Sequence, residues 1–232
     1  MKMQLNRGFT LVEIAIVLVI VGLLIGGVLK GQEMITNAKL KRIESDNAGF
    51  AAAMFSYQDR YLQLPGDDGA ATGRFDFYLE TTANGGAGFT VATGEADGDG
   101  NGVIGGGKDW ATIDTNNTMI ATSVEPAKFF GHLRAAGLIP GGSGTSTTRP
   151  TNAYGGLVGI QNGALSMSGH AMIFGQIEGP IARILESRLD DGSGAAGRIR
   201  GAVSGTANNM DDDKTGIAVY AEASRYDLAF RL

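Results

Sequence analysis

Oxygen-bearing side chains crowd one short segment. Asp97-Gly98-Asp99-Gly100-Asn101-Gly102-Val103-Ile104 sets carboxylate or amide oxygens at the first, third and fifth positions of a loop, with glycine at the sixth. An EF-hand-type loop presents ligands to calcium in this order. Three side-chain oxygens converge, the glycine permits a sharp turn, and the next backbone carbonyl, here of Val103, adds a donor. The pattern departs at the twelfth position, where Lys108 stands in place of a bidentate glutamate. Asp109, one residue later, or Glu95, just upstream, could complete the shell. The expected ligand set for Ca2+ is therefore Asp97, Asp99, Asn101, Val103 and Asp109, in a loop without flanking helices. The competing reading is a solvated acidic glycine loop.

Other apparent motifs lack their context. Gly100-Asn101-Gly102-Val103-Ile104-Gly105 satisfies G-x-G-x-x-G, but no strand precedes it and no helix follows, as a dinucleotide site requires. The stretch from Gly102 to Lys108 approaches a phosphate-binding loop, yet Asp109 replaces the Ser or Thr that would hold magnesium. Asp190-Asp191 and Asp211-Asp212-Asp213 read as solvated turns, with a second ion site as the alternative. His132 and His170, the only histidines, are not at ligand spacing, and His132 is expected on a partly buried helix face. No nucleophile elbow or other catalytic signature is present, so the chain is not expected to be an enzyme.

The remaining chemical group of note is Glu13, which lies in an apolar block. Residues 1 to 8 are short and polar, with Lys2 and Arg7 and no acid; residues 14 to 29 are apolar and broken only by glycine. The 21 residues from Phe9 to Leu29 are enough to cross a hydrocarbon core of roughly 30 Å. The basic leader predicts a cytoplasmic N-terminus. A secretory signal would end in small residues at a cleavage site, whereas Lys30-Gly31-Gln32-Glu33 follows here, then more helix-forming sequence. A plain signal anchor leaves Glu13 unexplained, because a carboxylate at mid-membrane costs on the order of 3 kcal/mol, less near the interface.

Arg7-Gly8-Phe9-Thr10-Leu11-Val12-Glu13 resembles the processing motif of type IV prepilins and type II secretion pseudopilins. The resemblance implies cleavage between Gly8 and Phe9 by prepilin peptidase, N-methylation of Phe9, and an assembly role for Glu13. Physical chemistry agrees with that role. The cut creates an ammonium on Phe9, and a buried carboxylate and ammonium on adjacent subunits each offset the other's desolvation cost. The resemblance further implies a pilin fold. The implied partners are prepilin peptidase, other pilin subunits in a homo- or hetero-oligomeric filament, and inner-membrane assembly machinery. The Leu64-Pro65-Gly66-Asp67 turn, the Asp-Gly-Asp-Gly-Asn-Gly segment and the stretch from Leu133 to Ile139 look like a subgroup of large pilin-like proteins. Many pilins close a C-terminal disulfide loop; this chain has no cysteine and cannot.

The helix should continue beyond the membrane. Leu40, Ile43, Asn47, Phe50, Met54, Tyr57 and Tyr61 step by three and four, which traces one face of a helix. No proline occurs before Pro65. One helix from residue 9 to about 61 is predicted, its second half packing on a sheet. Glycines 22, 26, 27 and 31 each cost that helix about 1 kcal/mol relative to alanine. Close helix packing and local melting on assembly both stay open as reasons for them.

Beyond residue 66, a short helix is expected around 129–139, with Pro126 in its first turn and Gly137 at its end. A second is expected over 180–189, and strands at 157–161, 165–174, 198–203 and 217–222. The fold class is α+β: a long N-terminal helix against a small, mainly antiparallel sheet. The expected organisation is a leader at 1–8, a transmembrane or filament-core helix at 9–30, its amphipathic half at 31–65, and a head at 66–232.

Composition narrows the partners. From Gly66 to the C-terminus there are 19 acidic and 12 basic residues, a net of −7, the wrong sign for nucleic acid. Without cysteine, thiol catalysis, disulfides and cysteine-based zinc sites are excluded. Three readings stand ahead of a membrane-anchored enzyme, the fourth: a major or minor pilin, a type II secretion pseudopilin, and a filament-tip adhesin or DNA-uptake module. Each places the chain in the bacterial inner membrane, then in a periplasmic or extracellular filament.

Overall fold

The structure, a computed structural model, describes residues 11–75, 97–105, 125–140, 149–206 and 209–232. Helix α1 runs from Leu11–Tyr61 without a break, 51 residues. Its end falls where the sequence predicts, while its expected first residues lie outside the described ones. After Tyr61 the chain leaves helical geometry at Leu62, whose φ is 56°. Contacts divide the chain into two units, Met1–Lys41 and Arg42–Leu232.

In the first unit the helix from Leu11 to Leu29 buries nothing: Leu11 is 86% exposed and Leu23 73%. In the second unit the last turns of α1 bury Ile43, Met54 and Tyr57, members of the predicted stripe. Phe50 meets Phe130 edge to face at 5.5 Å, and Tyr57 stacks near His132 at 6.1 Å.

The rest of the second unit begins with a short helix α2 at Ala71–Phe75. Helix α3 spans Glu125–Ala135 and buries Phe129, Phe130 and Leu133. Gly137 closes α3 at φ 70°, letting Leu138 donate back to the Leu133 carbonyl. Then come strand β1 (Val158–Asn162), a 3-10 turn (Ala164–Ser166) and strand β2 (His170–Glu178). Helix α4 follows at Gly179–Leu189 with Pro180 in its first turn, then β3 (Ile199–Val203) and β4 (Arg225–Arg231). The sheet is wholly antiparallel in the order β1-β2-β4-β3. With the long helix it makes the predicted α+β architecture.

Central strands carry both faces of the core. Ile173 pairs with Ala229, and with Ala171, Ala202, Leu165 and Met210 they form one cluster. Met172 and Phe174 alternate to the other face opposite Phe230 and Leu228. Phe174 and Phe230 meet edge to face at 5.3 Å.

Two strand expectations are corrected. Residues 217–222 form no strand: their alternation buries only Tyr220, and Val219 is 79% exposed. The fourth strand is β4 instead, disguised by Asp227 in its middle. That carboxylate is fully buried and accepts from Gln176 N at 3.0 Å, from Asn209 Nδ2 at 2.6 Å and from Ser204 Oγ. It thereby holds the bulge where β2 shifts register and Gln176 adopts φ 61°. The predicted strand at 165–174 is displaced toward the C-terminus, because Leu165 occupies the 3-10 turn at φ 51°.

Candidate functional sites: the N-terminal segment and the acidic loop

Gly8 and Phe9 lie outside the described residues. Glu13 sits in the first turn of α1 and is exposed in the single chain. Among the described residues, α1 is the one helix long and apolar enough to cross a membrane, and its apolar window is wholly unburied. Among the described residues, a Cβ added at Gly22, Gly26, Gly27 or Gly31 would meet no atom within 4 Å, so packing among them does not require those glycines.

The acidic loop is built around residues from two other segments. The turn after α1 reverses at Gly66, whose φ is 94°, and delivers Asp67 to the interior, 1% exposed. The carboxylate of Asp67 accepts N–H groups of Asn101 at 3.0 Å and Gly102 at 2.8 Å, and its carbonyl accepts Gly100 N at 3.0 Å. Gly98 donates to the Asp68 carbonyl at 2.9 Å. Glycine is required there: a Cβ would fall 2.2 Å from the Asp67 backbone. From the start of α3, Glu125 accepts Asp99 N at 3.0 Å and Gly105 N at 2.8 Å. His170 Nε2 accepts Ile104 N at 2.9 Å, and the Ile104 side chain is fully buried.

A second tier holds the acceptors in place. Asp68 accepts Tyr57 Oη at 2.7 Å and Ala70 N at 2.9 Å, and pairs with Arg74. His132, on the predicted buried helix face, accepts Gly66 N through Nδ1 at 2.9 Å. Both histidines are thus neutral acceptors of backbone amides in this region. Burial lowers the His170 pKa, against the opposing charge of Asp67. Burial also raises the Glu125 carboxyl above its usual range, outweighing the two amides.

The predicted ligands divide. Asp99 comes together with Asp67 and Glu125, one carboxylate oxygen of each lying within 4.8 Å of the others. Asp97 is not in that group; its Oδ1 accepts Thr72 N at 2.7 Å and its carbonyl accepts Lys128 Nζ at 2.5 Å. Asn101 bonds within the loop, Nδ2 donating to Asp99 Oδ2 and Oδ1 accepting Val103 N, both at 2.7 Å. Asp109 lies outside the described residues. Sequence reading missed Asp67 and Glu125 as members of this site. The available signals were an acid straight after the Pro65-Gly66 turn and an acid in the first turn of α3. Chemically, the group offers hard oxygen donors at a spacing a calcium ion can bridge.

No curated protein and no solved structure matches the chain. The prokaryotic N-terminal methylation motif matches residues 3–29, which include Gly8, Phe9, Glu13 and the start of α1. With that motif running into an apolar helix that the described residues leave uncovered, this protein carries at its N-terminus the signature of type IV prepilins and their pilin-like relatives.

Proposed function

We propose that the protein is a structural subunit, a major or minor pilin, of a type IV pilus-like filament, and not an enzyme. Prepilin peptidase cuts between Gly8 and Phe9, Phe9 is N-methylated, and the chain waits in the inner membrane with its head outside. Assembly machinery then packs α1 against neighbouring subunits, where Glu13 meets the Phe9 ammonium of an adjacent chain. The observation that carries this reading is the methylation motif at residues 3–29 continuous with a helix whose apolar turns are unburied. The open space around Gly22, Gly26, Gly27 and Gly31 supports it further, since partners outside the chain then have room to approach. Calcium at the 97–104 loop belongs to the same reading as a staple for a head without disulfides. The meeting of Asp99 with Asp67 and Glu125 supports it.

Intact mass and N-terminal sequencing after co-expression with prepilin peptidase test the processing. A chain beginning at methylated Phe9 is expected; a chain retaining residues 1–8, or cut after Leu29, overturns the proposal. Glu13→Ala is expected to leave processing intact and to abolish incorporation into sheared filaments. A pseudopilin of a secretion system shares the same N-terminus and is the second reading, separable by which assembly genes are needed for export of the filament. The acidic head disfavours a DNA-uptake role.

A further inference from the structure

Three acidic side chains meet where α4 ends. Glu186, Asp190 and Asp191 each bring a carboxylate oxygen within 4.8 Å of the other two. Glu186 is fully buried, Asp190 partly so, and Asp191 faces solvent. One oxygen of each is committed to the scaffold. Glu186 Oε1 accepts the Tyr220 hydroxyl at 2.7 Å, Asp190 Oδ2 accepts Ile199 N at 2.7 Å and also Arg198 N, and Asp191 Oδ1 accepts Ser193 N at 2.9 Å. Glu186 Oε2, by contrast, is shut off from solvent and has no hydrogen-bond donor.

Among the described residues, no cation pairs with that oxygen. Two further carboxylates lie beside the Glu186 carboxyl group, and the carbonyl end of α4 adds partial negative charge. Among the described residues, the ion pairs use other acids, and no Lys or Arg pairs with these three. Buried in this way, an oxygen with neither donor nor counter-charge disfavours the ionised form of Glu186, although Oε1 keeps the Tyr220 hydroxyl. The surroundings are nevertheless closely fitted to it. A Cβ on Gly194 would strike the Tyr220 hydroxyl at 2.1 Å, and one on Gly197 would strike the Asp190 carboxylate at 2.1 Å. Both glycines therefore serve to bring the carboxylates in.

We propose that Glu186, Asp190 and Asp191 bind a calcium ion at the C-terminal end of α4. Oxygens that share one calcium at about 2.4 Å lie no more than about twice that distance apart, and the three oxygens here fall within that limit. The exposed side at Asp191 gives water access to complete the six to eight ligands calcium takes, roughly the usual number. Magnesium demands a tighter octahedron and is the poorer fit. The bound ion ties the end of α4 to the start of β3 and to the Tyr220 segment in a chain that has no disulfide. The proposal rests on the filament reading only for the calcium-containing compartment outside the cell. Binding by purified protein tests it separately from processing or assembly.

The test is calcium titration calorimetry on the full-length chain in detergent after chelation, with thermal unfolding in chelator and in calcium. Wild type is expected to gain Tm when calcium replaces chelator. Glu186→Gln is expected to lose one calcium equivalent, or at least about tenfold in affinity. In chelator it should unfold at or above the wild-type temperature, because the amide keeps the acceptor for Tyr220 and removes a buried like charge. Asp191→Asn is the companion variant; it is exposed and keeps its bond to Ser193, so folding is not at stake. It should weaken the same equivalent. Titrations of both variants that superpose on wild type, or wild type that binds no calcium at millimolar concentration, overturn the proposal.

Discussion

Asp67, Asp99 and Glu125 form one group of three carboxylates in the head, and Glu186, Asp190 and Asp191 form another, each with its oxygens within 4.8 Å of one another. The first is wrapped by a glycine-rich loop whose N–H groups reach Asp67 and Glu125. The second sits at a helix C-terminus, where the free backbone groups are carbonyls and the amides are already used inside the helix. A loop rich in glycine can turn its amides onto a buried carboxylate; a helix end of this polarity cannot, so Asp190 and Asp191 take theirs from Arg198, Ile199 and Ser193 beyond the helix. Backbone amides thus reach Asp67 and Glu125 in the first group and Asp190 and Asp191 in the second, but not Glu186 Oε2, the atom on which the proposed calcium site turns.

The sharpest way to break this contrast is to remove an acceptor from the wrapped group. Asp67→Ala leaves the Asn101 and Gly102 amides unsatisfied at a buried position, and a loss of about 3 kcal/mol is expected in denaturant unfolding of the purified chain. A loss below about 1 kcal/mol would show that solvent, and not Asp67, satisfies those amides. Gly98→Ala probes the approach itself. Its Cβ would overlap the Asp67 backbone at 2.2 Å, so the loop must shift, at a cost of about 2 kcal/mol. Glu186→Gln sharpens the other side. In chelator its effect is expected to be neutral to stabilising by up to about 1 kcal/mol, the opposite sign to Asp67→Ala. Smallest of all, Asp191→Asn should change stability in chelator by less than about 0.5 kcal/mol, while lowering the calcium-dependent gain in Tm.

Legibility followed the distance over which each feature is encoded. The stripe from Ile43 to Tyr57, the close of α3 at Gly137 and the start of α4 at Pro180 were readable, because each rests on neighbours within one or two helical turns. Strand β4 was not. Asp227 interrupts its apolar run, and its acceptability depends on Gln176, Ser204 and Asn209, all remote in sequence. The segment at 217–222 alternates like a strand but contributes only one backbone bond to the edge of β3, Ile217 N to the Gly201 carbonyl at 2.8 Å.

The acidic loop divides along the same line. Local spacing was enough to single out Asp97, Asp99 and Asn101 as oxygen donors, and contiguous residues 3–29 were enough for the methylation motif and the apolar helix. Length, hydropathy and a short motif are properties of the covalent chain and need no folding to exist. Folding alone brought Asp67 and Glu125 to Asp99, directed Asp97 to Thr72, and set Tyr220 against Glu186. Those pairings join segments tens of residues apart, and their geometry follows from how the sheet and helices pack, which no local pattern of residues records.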